Sequence, residues 1–378
     1  MSEVSLVRCD TYERPQVEAA VDRAIGLLGG MARFVRPGQR VLIKVNLLRA
    51  SRPDRAIVTH PEVVRAVALL ARAAGGEVII ADSPGGRFSA GALRHVYRES
   101  GLQAMADESG LTLNQDTSTV VLPHPDGVTA KRFEVCRYAT QADVIISLPK
   151  LKTHSLMRFT GAIKNLFGVL PGLQKIGYHV KHQDEKSFSD MLVDVLVLVR
   201  PALTVMDGIV GMDGNGPSAG DPFPTGVILA GPDAVAVDVV AVSLVGMEPR
   251  SVPALRVAAQ RGLTTLQLGD VQLVGDSFEA ACVEGFRPPA TGPDLSRLPE
   301  FLRRWATRTM LASPVAGAAC TGCGVCHEHC PVGAVTMANG QAHMNLDDCI
   351  RCYCCHEMCP FDAVELRQPR LVRALMRS

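Results

Sequence analysis

The sequence predicts an α/β protein: a large, mostly parallel-sheet α/β domain followed by a small module rich in cysteine. Two observations carry this. From about residue 40 to residue 275, short apolar runs alternate with segments of helical periodicity. Nine of the twelve cysteines then crowd between Cys320 and Cys359. Strands separated by helices imply a mostly parallel sheet covered on both faces.

The elements follow in order. Residues 41–45 (VLIKV) form a first apolar strand. Residues 61–74 carry apolar positions at helical spacing behind Pro61, and Gly75-Gly76 ends them. Residues 77–81 (EVIIA) and 144–148 (VIISL) read as further strands, 187–199 as a helix, and 203–206 and 227–230 as strands. Residues 232–245 are helical, and 271–274 make a last strand. The strand exits are polar and glycine-rich: Asp82 to Gly86, Pro149 to His154, and a loop that starts at Asp207 and runs on through GIVGMDGNGPSAGDP. In open α/β sheets ligands bind outside the carboxyl ends of strands, so these loops are expected to converge on one crevice.

The division expected is an α/β ligand-binding domain over 1–285, a Pro/Gly-rich linker with a short helix near 300–311 over 286–315, a cysteine module over 316–367 and a basic tail over 368–378. The chain of 378 residues is 47% hydrophobic and 20% charged with net charge +1. That is ordinary globular composition, with no global attraction to nucleic acid or an anionic membrane. One Trp and no basic stripe with interleaved aromatics argue further against nucleic acid. No basic segment followed by an apolar run opens the chain, so no signal peptide is expected. No apolar stretch is long enough for a transmembrane segment. The expected location is cytoplasmic.

The cysteines form two runs, Cys320-x2-Cys323-x2-Cys326-x3-Cys330-Pro331 and Cys349-x2-Cys352-x2-Cys355-x3-Cys359-Pro360. They repeat at an offset of 29 residues and share a His-Glu pair and a downstream Ala-Val. Dense spacing of this kind points to metal rather than disulfides. A pair of structural zinc sites is the alternative, but zinc does not need two four-cysteine runs each closed by Cys-Pro. His327, His329 and His356 sit inside the runs and read as neighbours of the cofactor rather than ligands, since eight cysteines are already present. Cys354 is an extra thiol between Cys352 and Cys355, and reads as a bystander.

Over about 50 residues this pattern resembles the bacterial-type two-cluster ferredoxins, which implies a small α+β two-cluster ferredoxin-like domain with two [4Fe–4S] clusters. In that fold the fourth cysteine of each run serves the other cluster. The resemblance therefore implies Cys320, Cys323, Cys326 and Cys359 for cluster 1, and Cys349, Cys352, Cys355 and Cys330 for cluster 2.

In the large domain, Lys150, Lys152, His154, Arg158, Lys164 and Asn165 gather around one strand exit. So many cations at one place are costly without an anionic partner, which a phosphate or carboxylate ligand would supply. A solvated basic surface is the alternative. Lys44 and Asn46, at the end of the first strand, join Lys150, Lys152, Lys164 and Asn165 as expected anion-binding residues. Lys152 and His154 are the catalytic candidates, with His154 as the proton donor. Thr59, His60, Asp82 and Ser83 are further crevice candidates, and His179 and His182 further proton donors. Asp207, Asp213 and Asn215 could hold a hard cation such as Mg2+, although spaced Asp in a Gly-rich loop is more often turn chemistry. No GxGxxG follows the first strand and no GxxxxGK[ST] occurs, which disfavours dinucleotide and P-loop sites.

The stretches KVNLL, THPEVV, ADSPG, LPKLKTH, TGAIKNLFG and MDGIVGMDGNGP resemble the family called domain of unknown function 362, over about residues 40–280. Members of that family are often fused to a two-cluster ferredoxin, which supports the architecture more than any chemistry. The expected function is a ferredoxin-dependent oxidoreductase delivering electrons to an anionic substrate or cofactor in the crevice. The alternatives are a non-catalytic electron carrier or assembly protein that docks a partner, and a non-redox enzyme with structural clusters. The partner is a redox protein or a small molecule.

Overall fold

The computed structural model describes residues 1–289, 299, 302, 306 and 309–369. Most of the expected helix near 300–311, and residues 370–378 of the expected tail, lie outside the described residues.

The large domain is organised on a mixed sheet of ten strands: β1 (Ser2–Arg8), β2 (Arg40–Lys44), β3 (Glu77–Ala81), β4 (Thr112–Leu113), β5 (Val144–Ser147), β6 (Lys150–His154), β7 (Arg158–Thr160), β8 (Leu203–Asp213), β9 (Asp221–Gly231) and β10 (Val271–Gly275). The order is β10-β1-β9-β8-β5-β2-β3-β4, with β6 pairing β8 and β7. The run β8-β5-β2-β3-β4 is parallel, whereas β1-β9, β9-β8 and β6-β7 are antiparallel. Helices cover both faces. Pro61–Ala73, started by Pro61 and capped by His60, buries Val63, Val64 and Val67 against one face. Glu185–Val199, capped by Asp184, and Ala234–Leu244, capped by Asp233, pack the other. The strands read as continuous apolar runs because they are buried on both sides.

The sequence reading placed loops at 149–154 and beyond Asp207, and both are strands. Residues 150–154 (KLKTH) form β6, whose five residues are all buried. β8 runs on to Asp213. Its glycines serve close strand approach rather than turns. A Cβ on Gly208 would lie 2.9 Å from the Val227 carbonyl oxygen, and one on Gly211 would lie 3.0 Å from that of Leu151.

The cysteine module opens with strand Ser313–Ala316, which pairs antiparallel with Val364–Arg367. A second hairpin joins Val335–Ala338 to Gln341–Met344. The offset of 29 residues is visible in bonding. His327 Nδ1 bonds the Val335 carbonyl at 2.5 Å, and His356 Nδ1 bonds that of Val364 at 2.6 Å. The repeated His and Ala-Val are thus one fastening used twice. The loops also share left-handed positions. Gly322 and Gly324 hold them in the first run, and Arg351 (φ 58°) and Tyr353 (φ 62°) hold them in the second. Non-glycine residues there are strained. Buried anchors retain them: Tyr353 Oη donates to the Ala312 carbonyl, and Arg351 Nη1 donates to those of Leu346 and Cys349.

The module packs on the carboxyl ends of β2 and β3. Arg49 and Arg55 both pair with Asp362, at 2.8 Å each. His356 Nε2 bonds the Asn215 carbonyl at 3.1 Å.

Candidate functional site

Two small cavities lie inside the cysteine module. One, of about 300 Å3, is bordered by Cys320, Cys323, Cys326 and Cys359. The other, of about 330 Å3, is bordered by Cys330, Cys349, Cys352 and Cys355. The fourth cysteine of each run therefore faces the cavity of the other run. The thiols surround a void. Among the described residues no three His, Cys, Asp or Glu side chains converge as a single metal ion requires. Backbone N–H groups point at sulfur in both halves: Ala334 N–H donates to Cys330 Sγ at 3.1 Å, and Ala363 N–H to Cys359 Sγ at 3.2 Å. This donor set suits an iron–sulfur cubane, whose potential such hydrogen bonds tune.

A third space of about 730 Å3, counting its solvent-open mouth, lies between the module and the sheet. The module contributes His329, Cys354, Glu357 and Met358 to its wall. The sheet side contributes Asn46, Asp82, Lys152, Thr160, Lys164, Asn165, Lys175 and His179, with apolar cover from Leu47, Leu48, Phe167 and Ile176. Cys354 thus lines this cleft, with its thiol in contact with that of Cys352, which borders the neighbouring cavity. Two glycines seat the module. A Cβ on Gly85 would lie 2.6 Å from Met358 Sδ, and one on Gly86 would lie 2.7 Å from His329 Nε2.

The lysines of the cleft are chemically distinct. Lys152 Nζ donates to the Ile57 carbonyl at 2.6 Å, and burial with Lys164 nearby holds its pKa well below the usual lysine range. Lys164 makes no hydrogen bond among the described residues, and its Nζ lies 5.7 Å from the Phe167 ring centroid. Burial lowers its pKa, against the pull of Glu357. Lys175, which the sequence reading did not single out, is bound by the Ser83 carbonyl and Oγ and by the Leu170 carbonyl, and burial brings its pKa down to about 8. Glu357 reaches this group from the module, and burial raises its pKa.

Several expected residues are turned to other tasks. Lys44, fully buried, pairs with Asp82 at 2.8 Å and donates to the Val45 carbonyl at 2.7 Å, so it braces the cleft's floor instead of meeting a ligand. Lys150 is spent on Asp207 (2.8 Å) and Tyr12 Oη (2.6 Å), away from the cleft. Asp213 is taken by Arg287 at 2.6 Å. With Asp207 and Asp213 neutralised by buried or bidentate cations, the Mg2+ reading of that loop falls.

His154 is corrected as a proton donor. It is fully buried and does not line the cleft. Its Nδ1 accepts the N–H groups of Leu156 and Met157 at 3.1 and 3.3 Å, which leaves the proton on Nε2. Burial and surrounding cations press its pKa well below the usual imidazole range, although Glu357 Oε1 lies 3.3 Å from its Nε2. Thr59 and His60 are also structural. Thr59 Oγ1 donates to the Leu148 carbonyl, and His60 stacks on Tyr12 at 3.6 Å between centroids, its pKa lowered by burial to about 4. His182 bonds Ser187 Oγ outside the cleft, while His179 lines it, stacked on Phe188.

Asp238, also missed by the sequence reading, sets the segment carrying Lys164. Its carboxylate accepts the N–H groups of Ala162 and Ile163 at 2.6 and 3.0 Å, and burial raises its pKa to about 7. Gly161 leaves room for it: a Cβ there would stand 2.1 Å from Asp238 Oδ1.

A 4Fe–4S module docked on an α/β domain defines the class: an iron–sulfur protein of the electron-transfer type. The chain belongs to the family described as domain of unknown function (DUF362), matched over residues 41–243, and residues 315–360 match the 4Fe-4S dicluster domain. It is 36% identical over 261 residues to the thylakoid-associated protein sll1697 of Synechocystis sp., covering 69% of this chain and 79% of that protein. Among solved structures it is similar to the lactate racemase apoprotein from Thermoanaerobacterium thermosaccharolyticum, with a TM-score of 0.39 and 13% identity over 62% of this chain and 55% of that one. Among the described residues no helix is long and apolar enough to cross a membrane.

Proposed function

We propose that this chain is an oxidoreductase that passes electrons through two [4Fe–4S] clusters to an anionic compound held in the cleft. Cys320, Cys323, Cys326 and Cys359 would hold one cluster, and Cys349, Cys352, Cys355 and Cys330 the other. The observation that supports this most is the make-up of the cleft: one wall comes from the cysteine motifs and the facing wall carries Lys152, Lys164 and Lys175. When bound, the clusters supply single electrons beside that wall. The lysines hold negative charge where burial strengthens the attraction. Leu47, Leu48, Phe167 and Met358 limit water. A cytoplasmic location is part of this reading, supported by cysteine runs that an oxidising compartment would pair.

The test is anaerobic. Holoprotein reduced with dithionite and freed of excess reductant is mixed with fractions of a small-molecule extract, and reoxidation is followed by visible absorbance. The expected result is reoxidation by an acidic fraction, slowed about tenfold in Lys164→Ala. Failure of every fraction, or an unchanged rate in Lys164→Ala, counts against the reading. A second reading, an electron carrier that docks a redox partner, has its own support. Phe361, 50% exposed, borders the first cysteine cavity beside exposed Cys323. Phe361→Ala would then slow electron transfer to that partner and leave reoxidation by small molecules untouched.

A further inference from the structure

Among the described residues, the cleft's lining holds five buried polar atoms without a hydrogen-bond partner: Asn46 Oδ1, Thr160 Oγ1, His179 Nδ1, His329 Nε2 and Glu357 Oε1. Thr160, His179, His329 and Glu357 are each less than 9% exposed. Glu357 Oε1 has His154 Nε2 at 3.3 Å, too poorly aligned for a hydrogen bond. Orphaned buried groups are costly, and a concentration of them on one cleft points to a ligand that completes them.

The orphans also say what kind of ligand. Lys164 Nζ makes no hydrogen bond among the described residues, and Thr160 has a hydroxyl to donate; both can meet anionic oxygen. Asn46 asks for the opposite, and its orientation is fixed by a chain of bonds. Asn165 Nδ2 donates to Ser147 Oγ at 3.0 Å and to the Lys44 carbonyl at 3.4 Å, so Asn165 Oδ1 is the acceptor. That oxygen receives Lys44 Nζ at 3.5 Å and Asn46 Nδ2 at 3.2 Å. The amide nitrogen of Asn46 is therefore committed, and its Oδ1 is left as a pure acceptor. Among the described residues no arginine lines the cleft, and the cations that do are point charges and single donors rather than a guanidinium fork.

We propose that the cleft binds a small anion that itself carries a hydrogen-bond donor, with its charged oxygens on Lys164 and Thr160 and its donor on Asn46 Oδ1. This rests on the anionic reading above and narrows it. A site with a buried acceptor rejects an isostere lacking the donor, because the acceptor then stays unpaired.

The experiment uses anaerobic holoprotein and two matched pairs, phosphate against sulfate and malate against succinate, by calorimetry at pH 7. Phosphate at that pH and malate each carry an O–H that sulfate and succinate lack. The expected result is that the donor-bearing member of at least one pair binds about tenfold or more tightly. Asn46→Leu should abolish that preference and leave the donor-free member's affinity in place. Thr160→Val should weaken both members and keep the ratio, and the retained donor-free affinity of Asn46→Leu guards against a fold defect in that variant. Equal affinities within both pairs overturn this inference and leave the anionic reading standing. Binding of none of the four at 10 mM overturns both.

Discussion

Lys44 and Asp82 form an ion pair at 2.8 Å with side chains 0% and 4% exposed, at the ends of the adjacent parallel strands β2 and β3. Asp82 also accepts the Leu47 N–H at 2.6 Å and its own neighbour's, that of Ser83, at 2.7 Å. The pair fixes the cleft's floor. Removing one partner leaves an uncompensated buried charge, at a cost of about 3–5 kcal/mol. Lys44→Met and Asp82→Asn should each show such a loss in chemical denaturation. The double variant should lose clearly less than the sum of the two. Additive losses would mean that the two charges do not act as a pair.

Gly86 is where the module meets the sheet. Its φ of +87° and the His329 imidazole leave no place for a side chain. Gly86→Ala should lower stability by about 1–2 kcal/mol through backbone strain alone and should also loosen the module. Limited proteolysis should then cut between the domains faster than in the parent protein. Unchanged cleavage would show that the seat is not needed for docking.

Lys175 gives the cleft a pH dependence. Its folded pKa is about 8 against an ordinary 10.5, and it faces Asp82, Cys136, Lys44 and Lys164. Between those two values the unfolded chain binds more protons, so stability rises with pH, by up to about 1.4 kcal/mol per pH unit. Lys175→Met should flatten that slope. An anion in the cleft favours the charged lysine, so binding near pH 8–9 should take up protons. Calorimetry in buffers of different ionisation enthalpy measures this directly, and proton release would contradict it.

Cys354 and Cys355 are neighbours with different outlooks: Cys355 borders a cysteine cavity and Cys354 the cleft. Cys355→Ser should lose about half of the iron, whereas Cys354→Ser should keep about eight irons per chain. Equal iron loss in both would reverse the assignment.

The cysteine runs were legible because their spacing is local and the sequence records it directly. The lysine group was legible by type and not by direction. Lys44 and Lys150 looked like ligand binders because their partners, Asp82 and Asp207, lie in other strands and only the sheet brings them together. The burial of His154 is likewise a tertiary fact, since polar KLKTH gives no period-2 signal for a strand. Lys175, Asp238 and Glu357 were missed for the same reason. Glu357 alone had a trace in sequence, the His-Glu pair repeated between the two cysteine runs. The glycines of β8 read as loop because close strand packing and turns draw on the same residue.

The most direct measurement is iron, acid-labile sulfide and zinc content of the anaerobically purified protein, with EPR of the dithionite-reduced sample. Two cubanes in crossed thiol sets predict about eight irons and eight sulfides per chain and a spectrum broadened by coupling between neighbouring clusters. Zinc in place of iron, or a single isolated cluster signal with about four irons, would contradict the account.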